Sequence, residues 1–337
     1  MKTKNNHFDI LTLLSLIAIA ISSSAMHNTS AWGRSAMALA AVSRWGVTAF
    51  IAAHGVRFFG GSLDYSLKHI IKKLVLPSAS VCAVFWIAAA LLYMNLNFPN
   101  DMDRQTFFEC MAAVSYEPYN IRLLQLIFMM AVFTPIMQKA AKNIRLTGYT
   151  VLIFFLLGSV NTILTEIPYV GMITSFTNQV NWGFFTAYGL YALLGCYIDK
   201  AEFEWHWRVV IYSAGVLCTA ALYALSIRYT ANDKLMTVIG DSSPLTALQT
   251  ASVMVFIKYL SRRIKLSDNT RIKLRVYAGG GYIMAAILCV AVPIIRIIPG
   301  TEQNTAVVIL NAVLALALSF GIFMIIYRAV IAKEVTD

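Results

Sequence analysis

Residues 8–27 read FDILTLLSLIAIAISSSAMH and residues 304–328 read NTAVVILNAVLALALSFGIFMIIYR. Each stretch can cross a hydrocarbon core ~30 Å thick as an α-helix, which takes about 20 mostly apolar residues. A helix is the form to expect, because a backbone in lipid must satisfy its own N–H and C=O groups within the segment. Eight more stretches of the same kind lie between them, at 41–59, 74–95, 121–138, 147–165, 181–198, 208–227, 244–260 and 276–296. Across all 337 residues 59% are hydrophobic and only 13% charged, with a mean hydropathy of +0.68, whereas soluble domains carry about 25% charge. The expected fold class is therefore an all-α polytopic membrane protein, a single transmembrane domain over 1–337 with about ten helices. A soluble Rossmann fold, a TIM barrel and a disulfide-rich secreted fold are excluded. The five cysteines (Cys82, Cys110, Cys196, Cys218, Cys289) have no metal-ligand spacing and read as small membrane-buried residues.

The net charge of +11 follows the connections between spans. With Met1 in the cytoplasm, one set of connections holds Lys2, Lys4, Lys68, Lys72, Lys73, Lys139, Lys142, Arg145 and Lys200, then the dense block Lys258, Arg262, Arg263, Lys265, Arg271, Lys273 and Arg275, and finally Lys333. The opposite set is poor in base and holds Asp101, Asp103, Glu109, Glu117, Asp233, Asp241 and Glu302. The positive-inside rule then places both ends in the cytoplasm. The basic surplus reports orientation and contact with anionic membrane lipids, so no nucleic-acid partner is expected. For the first span a cleaved signal peptide is the alternative, since a basic start, an apolar stretch and Ser22-Ser23-Ser24-Ala25 imitate one. The connection 96–120 has room for a small interfacial helix. Trp32, Trp45, Trp182, Trp205, Trp207, Tyr116 and Tyr119 sit at span ends, as an aromatic belt would place them.

Ionisable side chains at membrane depth are costly unless paired or lining a cavity, so they carry most of the functional information. Asp9 and Thr12 share a face of the first span, with Ser15, Ser22, Ser23, Ser24 and His27 running outward; the plainer reading of Asp9 is an N-terminal cap. The second span carries Arg44 near its outer end and His54 with Arg57, one turn apart, towards its inner end. Arg57 reads either as part of a polar site or as snorkelling to the inner headgroups. His54 reads either as a site residue or as a histidine hydrogen-bonded to a neighbouring helix. Arg122 and Gln125 open the fourth span, Asn161, Thr162, Thr165 and Glu166 close the fifth, and Asn178, Gln179 and Asn181 open the sixth. These groups either line one outward polar cleft, with Glu166 a partner for Arg44 or Arg122, or are solvated span ends.

The first two spans and the span count resemble the membrane acyltransferase-3 family, at low similarity over most of the chain. Phe8-Asp9-Ile10-Leu11-Thr12 begins as the family's first helix does. Ser43-Arg44-Trp45-Gly46-Val47-Thr48-Ala49-Phe50 followed by His54-Gly55-Val56-Arg57-Phe58-Phe59 is similar to its second. Phe133-Thr134-Pro135, Tyr188 to Gly195 and Gly281-Tyr282 resemble its fourth, sixth and ninth helices. The departures fall on the chemistry. Thr12 stands where the family has an Arg, Ser23 where it has its proposed catalytic His, Asn120-Ile121-Arg122 where it has His-Leu-Trp, and Ala285 where it has a further His.

The resemblance implies a multi-pass protein of the bacterial inner membrane that transfers an acyl group such as acetyl from acyl-coenzyme A, with no bound cofactor or metal, to a cell-envelope polysaccharide or lipid-linked glycan. General-base chemistry on a hydroxyl calls for a group with a pKa near 7, which is histidine. With the family's His replaced, His54 and His27 are the catalytic candidates, and Arg57 stands in for the missing first-helix Arg. Asp9, Arg44, Arg57, Arg122 and Glu166 are the candidate substrate- or donor-binding residues. Two alternatives stay open: an inactive accessory or carrier subunit working with polysaccharide-assembly proteins, and a transporter of an anionic solute gripped by Arg44 and Arg122.

The expected topology has Lys72 and Arg263 inside and Asp101 and Glu302 outside. Single cysteines at these positions on intact cells should react with an impermeant reagent only at 101 and 302; labelling at 72 or 263 overturns the orientation.

Overall fold

A computed structural model describes residues 6–26, 34–60, 67–99, 103–116, 121–164, 188–228, 240–295 and 305–328. All secondary structure among them is helical: α1 (His7–Met26), α2 (Arg34–Ser43), α3 (Trp45–Phe59), α4 (Leu67–Ile70), α5 (Leu76–Asn97), α6 (Arg104–Tyr116), α7 (Ile121–Lys142), α8 (Ile144–Phe154), α9 (Asn161–Leu164), α10 (Gly189–Lys200), α11 (Trp205–Arg228), α12 (Pro244–Ser261), α13 (Asp268–Gly279), α14 (Gly281–Ile295) and α15 (Thr305–Ile326). π-Helical turns at Ile71–Val75 and Phe155–Val160 join α4 to α5 and α8 to α9.

Six of these segments are long and apolar enough to cross a membrane: His7–Ala25, Ala36–Phe59, Leu76–Asn95, Leu123–Lys142, Trp205–Ile227 and Thr305–Ile326. They become seven if α13 and α14 count as one broken span, bent by 54°. The chain therefore has the make-up of a multi-pass membrane protein. Three of the ten expected spans have other characters among the described residues. Ile144–Val160 is a shorter apolar helix, the span expected at 181–198 is described only from Tyr188 on, where α10 has 12 residues, and α12 buries Thr246, Gln249, Thr250, Ser252 and Lys258 within its length.

The expected unbroken ninth span over 276–296 is corrected. Its helix begins at Asp268 and breaks at Gly280, where a side chain would collide with the Phe323 ring and one at Gly281 would lie 2.7 Å from Thr12 Cγ2. The second span also starts earlier than expected, at Arg34. The connection 96–120 does carry a small helix, α6, which packs on α5 and accepts a 3.0 Å hydrogen bond from the Trp86 indole at Met111 O.

Caps set several of the boundaries. Ser243 precedes Pro244 and accepts from Leu245 N at 3.2 Å to open α12, Ser267 accepts from Thr270 N to open α13, and Asn143 accepts from Arg145 N at 3.0 Å to open α8. A hydroxyl or amide before the first turn satisfies N–H groups that have no partner within the helix, and a proline at the first helical position removes one of them.

α1 and α3 form the centre. α1 packs against α2, α3, α12, α13, α14 and α15, and α3 against α1, α7, α10 and α12. Their membrane segments are 67% and 72% buried, against 17% for Leu76–Asn95 and 22% for Trp205–Ile227 and Thr305–Ile326, whose apolar side chains suit a lipid-facing ring. Between α3 and α10 the backbones nearly touch. A Cβ on Gly55 would sit 2.5 Å from Ala192 Cα, a Cβ on Gly195 would strike Ala52 O, and Cys196 Sγ approaches Gly55 O at 3.7 Å. Small residues permit such close approach, from which dispersion and weak polar contacts hold helices together in lipid.

Gly55→Leu or Gly195→Leu should part α3 from α10, and overpacking of this kind costs ~1–3 kcal/mol or more. Thermal unfolding in detergent should show a clearly lowered midpoint for both, whereas Gly321→Leu, where an added Cβ meets nothing within 4 Å, should behave like the parent chain.

Candidate functional site

Three sequence candidates meet at one end of the α1–α3 pair. His54 is 2% exposed and its Nδ1 lies 3.0 Å from Phe50 O one turn back. A carbonyl oxygen only accepts, so Nδ1 carries the proton and Nε2 keeps the lone pair. Nε2 is buried without a hydrogen-bond partner. The ring lies against Phe50 with centroids 4.2 Å apart, and its Cε1 is 3.8 Å from where a Cβ on Gly281 would be. A buried acceptor without a partner calls for an explanation, and accepting a hydrogen bond from a bound hydroxyl would be one.

One turn on, Arg57 Nη2 donates to Asp9 Oδ1 at 2.8 Å and Nη1 donates to Ala278 O. Both side chains are partly buried, at 26% and 16% exposure. The snorkelling alternative for Arg57 therefore gives way to an ion pair across α1 and α3. Asp9 also sits in the first turn of α1, where a carboxylate suits the helix dipole. Thr12 and Ser15 face the same region, but their hydroxyls donate to Phe8 O and Thr12 O, both at 2.8 Å. The helix bend at Gly280 completes the enclosure by bringing Ala278 O to Arg57 and the start of α14 to Thr12 and His54.

The other candidates lie elsewhere. Arg44 is buried at the α2–α3 junction, ten residues from His54 in the sequence and so ~15 Å along the helix axis. The described carboxylate that acts on it electrostatically is Asp241. Arg122 belongs to the first turn of α7. His27 and Glu166 lie outside the described residues.

Sequence reasoning put Lys258 in a basic cytoplasmic connection, and the structure corrects this. Lys258 is fully buried in the last turn of α12 and donates to Ile198 O at 2.8 Å, Asp199 O at 3.1 Å and Ala201 O at 2.6 Å. The ammonium has three donors, and the end of a helix has carbonyls without intrahelical partners; Lys258 thus caps α10 from the side. The available signal was its register, since the apolar Met254 and Val255, one turn before it, share its buried face.

Around it Glu202 pairs with Lys258 at 3.4 Å and takes both Arg262 nitrogens, at 2.9 and 2.6 Å, while His7 Nε2 approaches Asp199 at 3.4 Å. Above all the Arg262 hydrogen bonds, helped by the Lys258 charge, hold the Glu202 carboxyl down at about 2. A depressed carboxyl contributes at any pH above its ordinary value and loses its contribution only as the pH falls towards 2. The pair is therefore intact throughout the physiological range.

Among the described residues no group of three His, Cys, Asp or Glu could hold a metal ion. The chain matches no family model, no curated protein and no solved structure.

Lys258→Ala should strip the α10 cap. Breaking a buried charged cluster costs on the order of 3–5 kcal/mol, whereas a change at an exposed lysine stays within ~0.5 kcal/mol. Thermal unfolding should therefore show a large loss for Lys258→Ala and almost none for Lys265→Ala.

Proposed function

We propose that this chain is a divergent acyltransferase-3-like protein of the bacterial inner membrane, with ten spans and both ends cytoplasmic, that transfers a short acyl group from acyl-coenzyme A to a hydroxyl of an envelope polysaccharide or lipid-linked glycan. The observation that carries this reading is His54: one ring nitrogen committed to Phe50 O, the other free, one turn from an arginine held by Asp9.

The step needs nothing else covalent. His54 Nε2 takes the proton of the acceptor hydroxyl as its oxygen attacks the thioester carbonyl. A C–O bond forms, the C–S bond breaks, and the thiolate leaves with the proton returned by the imidazolium. Arg57 is the cation next to the charge that develops on the carbonyl oxygen, and such preorganised donors are usually worth several kcal/mol in the transition state. Asp9 acts through Arg57 by fixing it. The basic connections, including exposed Arg262, Arg263, Lys265, Arg271, Lys273 and Arg275, suit the phosphates of the donor.

One observation favours the accessory reading instead. His54 Nε2 has no solvent contact in this conformation, so a scaffold that keeps the family's shape without its turnover would look the same.

Purified protein should hydrolyse acyl-coenzyme A or acylate the glycan, and His54→Ala should lower the rate ~10²–10⁴-fold, as removal of a general base does. His27→Ala should have little effect, being next to Asn28 and Thr29 rather than beside a cation. Should both variants be expressed and keep full glycan modification, base catalysis by this chain is untenable and the accessory role takes its place.

A further inference from the structure

Where the chain leaves α10 and enters α11, cations and aromatic rings gather around the end of α12. Tyr259 of α12 is the hub: its hydroxyl accepts from Phe203 N at 2.7 Å and lies 3.2 Å from Glu202 Oε2. Against its ring stand the Arg208 guanidinium, 4.3 Å from the centroid, and that of Arg262, at 5.0 Å. Trp205, one turn before Arg208 on α11, adds a second ring 5.7 Å from the Arg208 guanidinium.

The two arginines differ in what holds them. Arg262 places both Nη atoms on Glu202, at 2.9 and 2.6 Å, and Lys258 approaches the same carboxylate at 3.4 Å. Arg208 is left out: its Nε is buried without a hydrogen-bond partner, and Glu204, one turn back, lies 3.4 Å from His206 instead. The Arg208 side chain is only half-buried and its Nη atoms are not sealed, so the donors that recognise an oxyanion remain open at the surface. The two rings hold the plane of the guanidinium, which stacks well on aromatic faces. Arg263, exposed just beyond α12, acts together with Arg208 on the Tyr212 hydroxyl through space, so a second cation serves the same region.

The surroundings say what covers this surface. Trp205 and Trp207 are 67% and 56% exposed, and Val209 and Val210 beyond them are exposed as well, at the start of a segment apolar enough to cross a membrane. Tryptophan at a span end sits at headgroup depth, which sets Arg208 level with the lipid phosphates and leaves Val209 and Val210 to the acyl chains. We propose that Arg208, held against Tyr259 and Trp205, binds the phosphodiester of an anionic phospholipid, with Arg263 as the second positive charge. The guanidinium takes two phosphate oxygens side by side. A headgroup with its own ammonium suits the site less, because that ammonium is repelled by cations with no carboxylate of their own. The bound lipid bridges α11 and the end of α12, beside the Lys258 cap of α10. The site uses none of the residues around His54 and does not rest on acyl transfer.

The test uses the full chain purified in detergent, with native mass spectrometry for lipid occupancy and thermal unfolding for its effect, against phosphatidylglycerol, phosphatidylcholine and inorganic phosphate. Phosphatidylglycerol should bind saturably and raise the unfolding midpoint, and phosphatidylcholine should bind ~10-fold more weakly, the weight of the charge attraction of two arginines. Inorganic phosphate, which has no acyl chains, should not stabilise. Arg208→Gln should weaken phosphatidylglycerol binding ~10-fold or more, as loss of a charge-assisted fork does, and Arg208→Lys should weaken it less, since it keeps the charge without the fork. Lys139→Gln, which removes an exposed lysine from the last turn of α7, should leave binding unchanged. An Arg208→Gln chain that binds like Lys139→Gln overturns the site and leaves only the general attraction of a basic surface. Equal binding of the two lipids overturns the anionic headgroup, and stabilisation by inorganic phosphate as strong as that by lipid overturns the lipid in favour of a free anion. If Arg208→Gln fails to fold, Arg208→Lys decides, and undiminished binding by it overturns the site.

Discussion

The Arg57 guanidinium is the joint on which the rest of the molecule turns. From α3 it reaches Asp9 on α1 with one nitrogen and Ala278 O on α13 with another, so one side chain ties together the two central helices and the broken helix beside them. A charge at membrane depth is admissible only when paired. Every element in contact with Arg57 is thereby constrained: α1 must present Asp9, and α13 must end where its carbonyl can be reached. The bend at Gly280 is part of the same arrangement, because a continuous helix would have used Ala278 O for its own ladder.

Close packing supplies the other half of the fold. In lipid the hydrophobic effect does little to distinguish a neighbouring helix from an acyl chain, so association depends on contacts that lipid cannot match. Gly55 against Ala192 and Gly195 against Ala52 bring α3 and α10 to backbone contact, and that contact fixes the rotation of α3 about its axis. The rotation then decides that His54 faces α1 and the α14 start rather than lipid. Lys258 performs a related task at the end of α10, where it supplies the donors that the last carbonyls lack.

Two polar centres result, separated along α2–α3. At the His54 end the ion pair is closed and His54 Nε2 is left without a partner. At the other end Arg44 is buried with Asp241 acting on it, and Gln249 Oε1 of α12 is buried without a partner. Both are enclosed by α12 or α14 packing on the same central pair of helices.

What the chain determined by itself was the helical, membrane-crossing character, because length and apolarity of 8–27, 41–59, 74–95, 121–138, 208–227 and 304–328 are local properties. The one-turn spacing of His54 and Arg57 was also legible, since the helical period settles it. Tertiary structure alone decided the rest. Asp9 as the partner of Arg57, Asp241 as the described carboxylate acting on Arg44, and Lys258 as a buried cap all depend on residues far apart in the chain meeting in space. At the break near Gly280, Phe323 lies where a Cβ on Gly280 would go and Thr12 where one on Gly281 would go, and no local pattern contains that information.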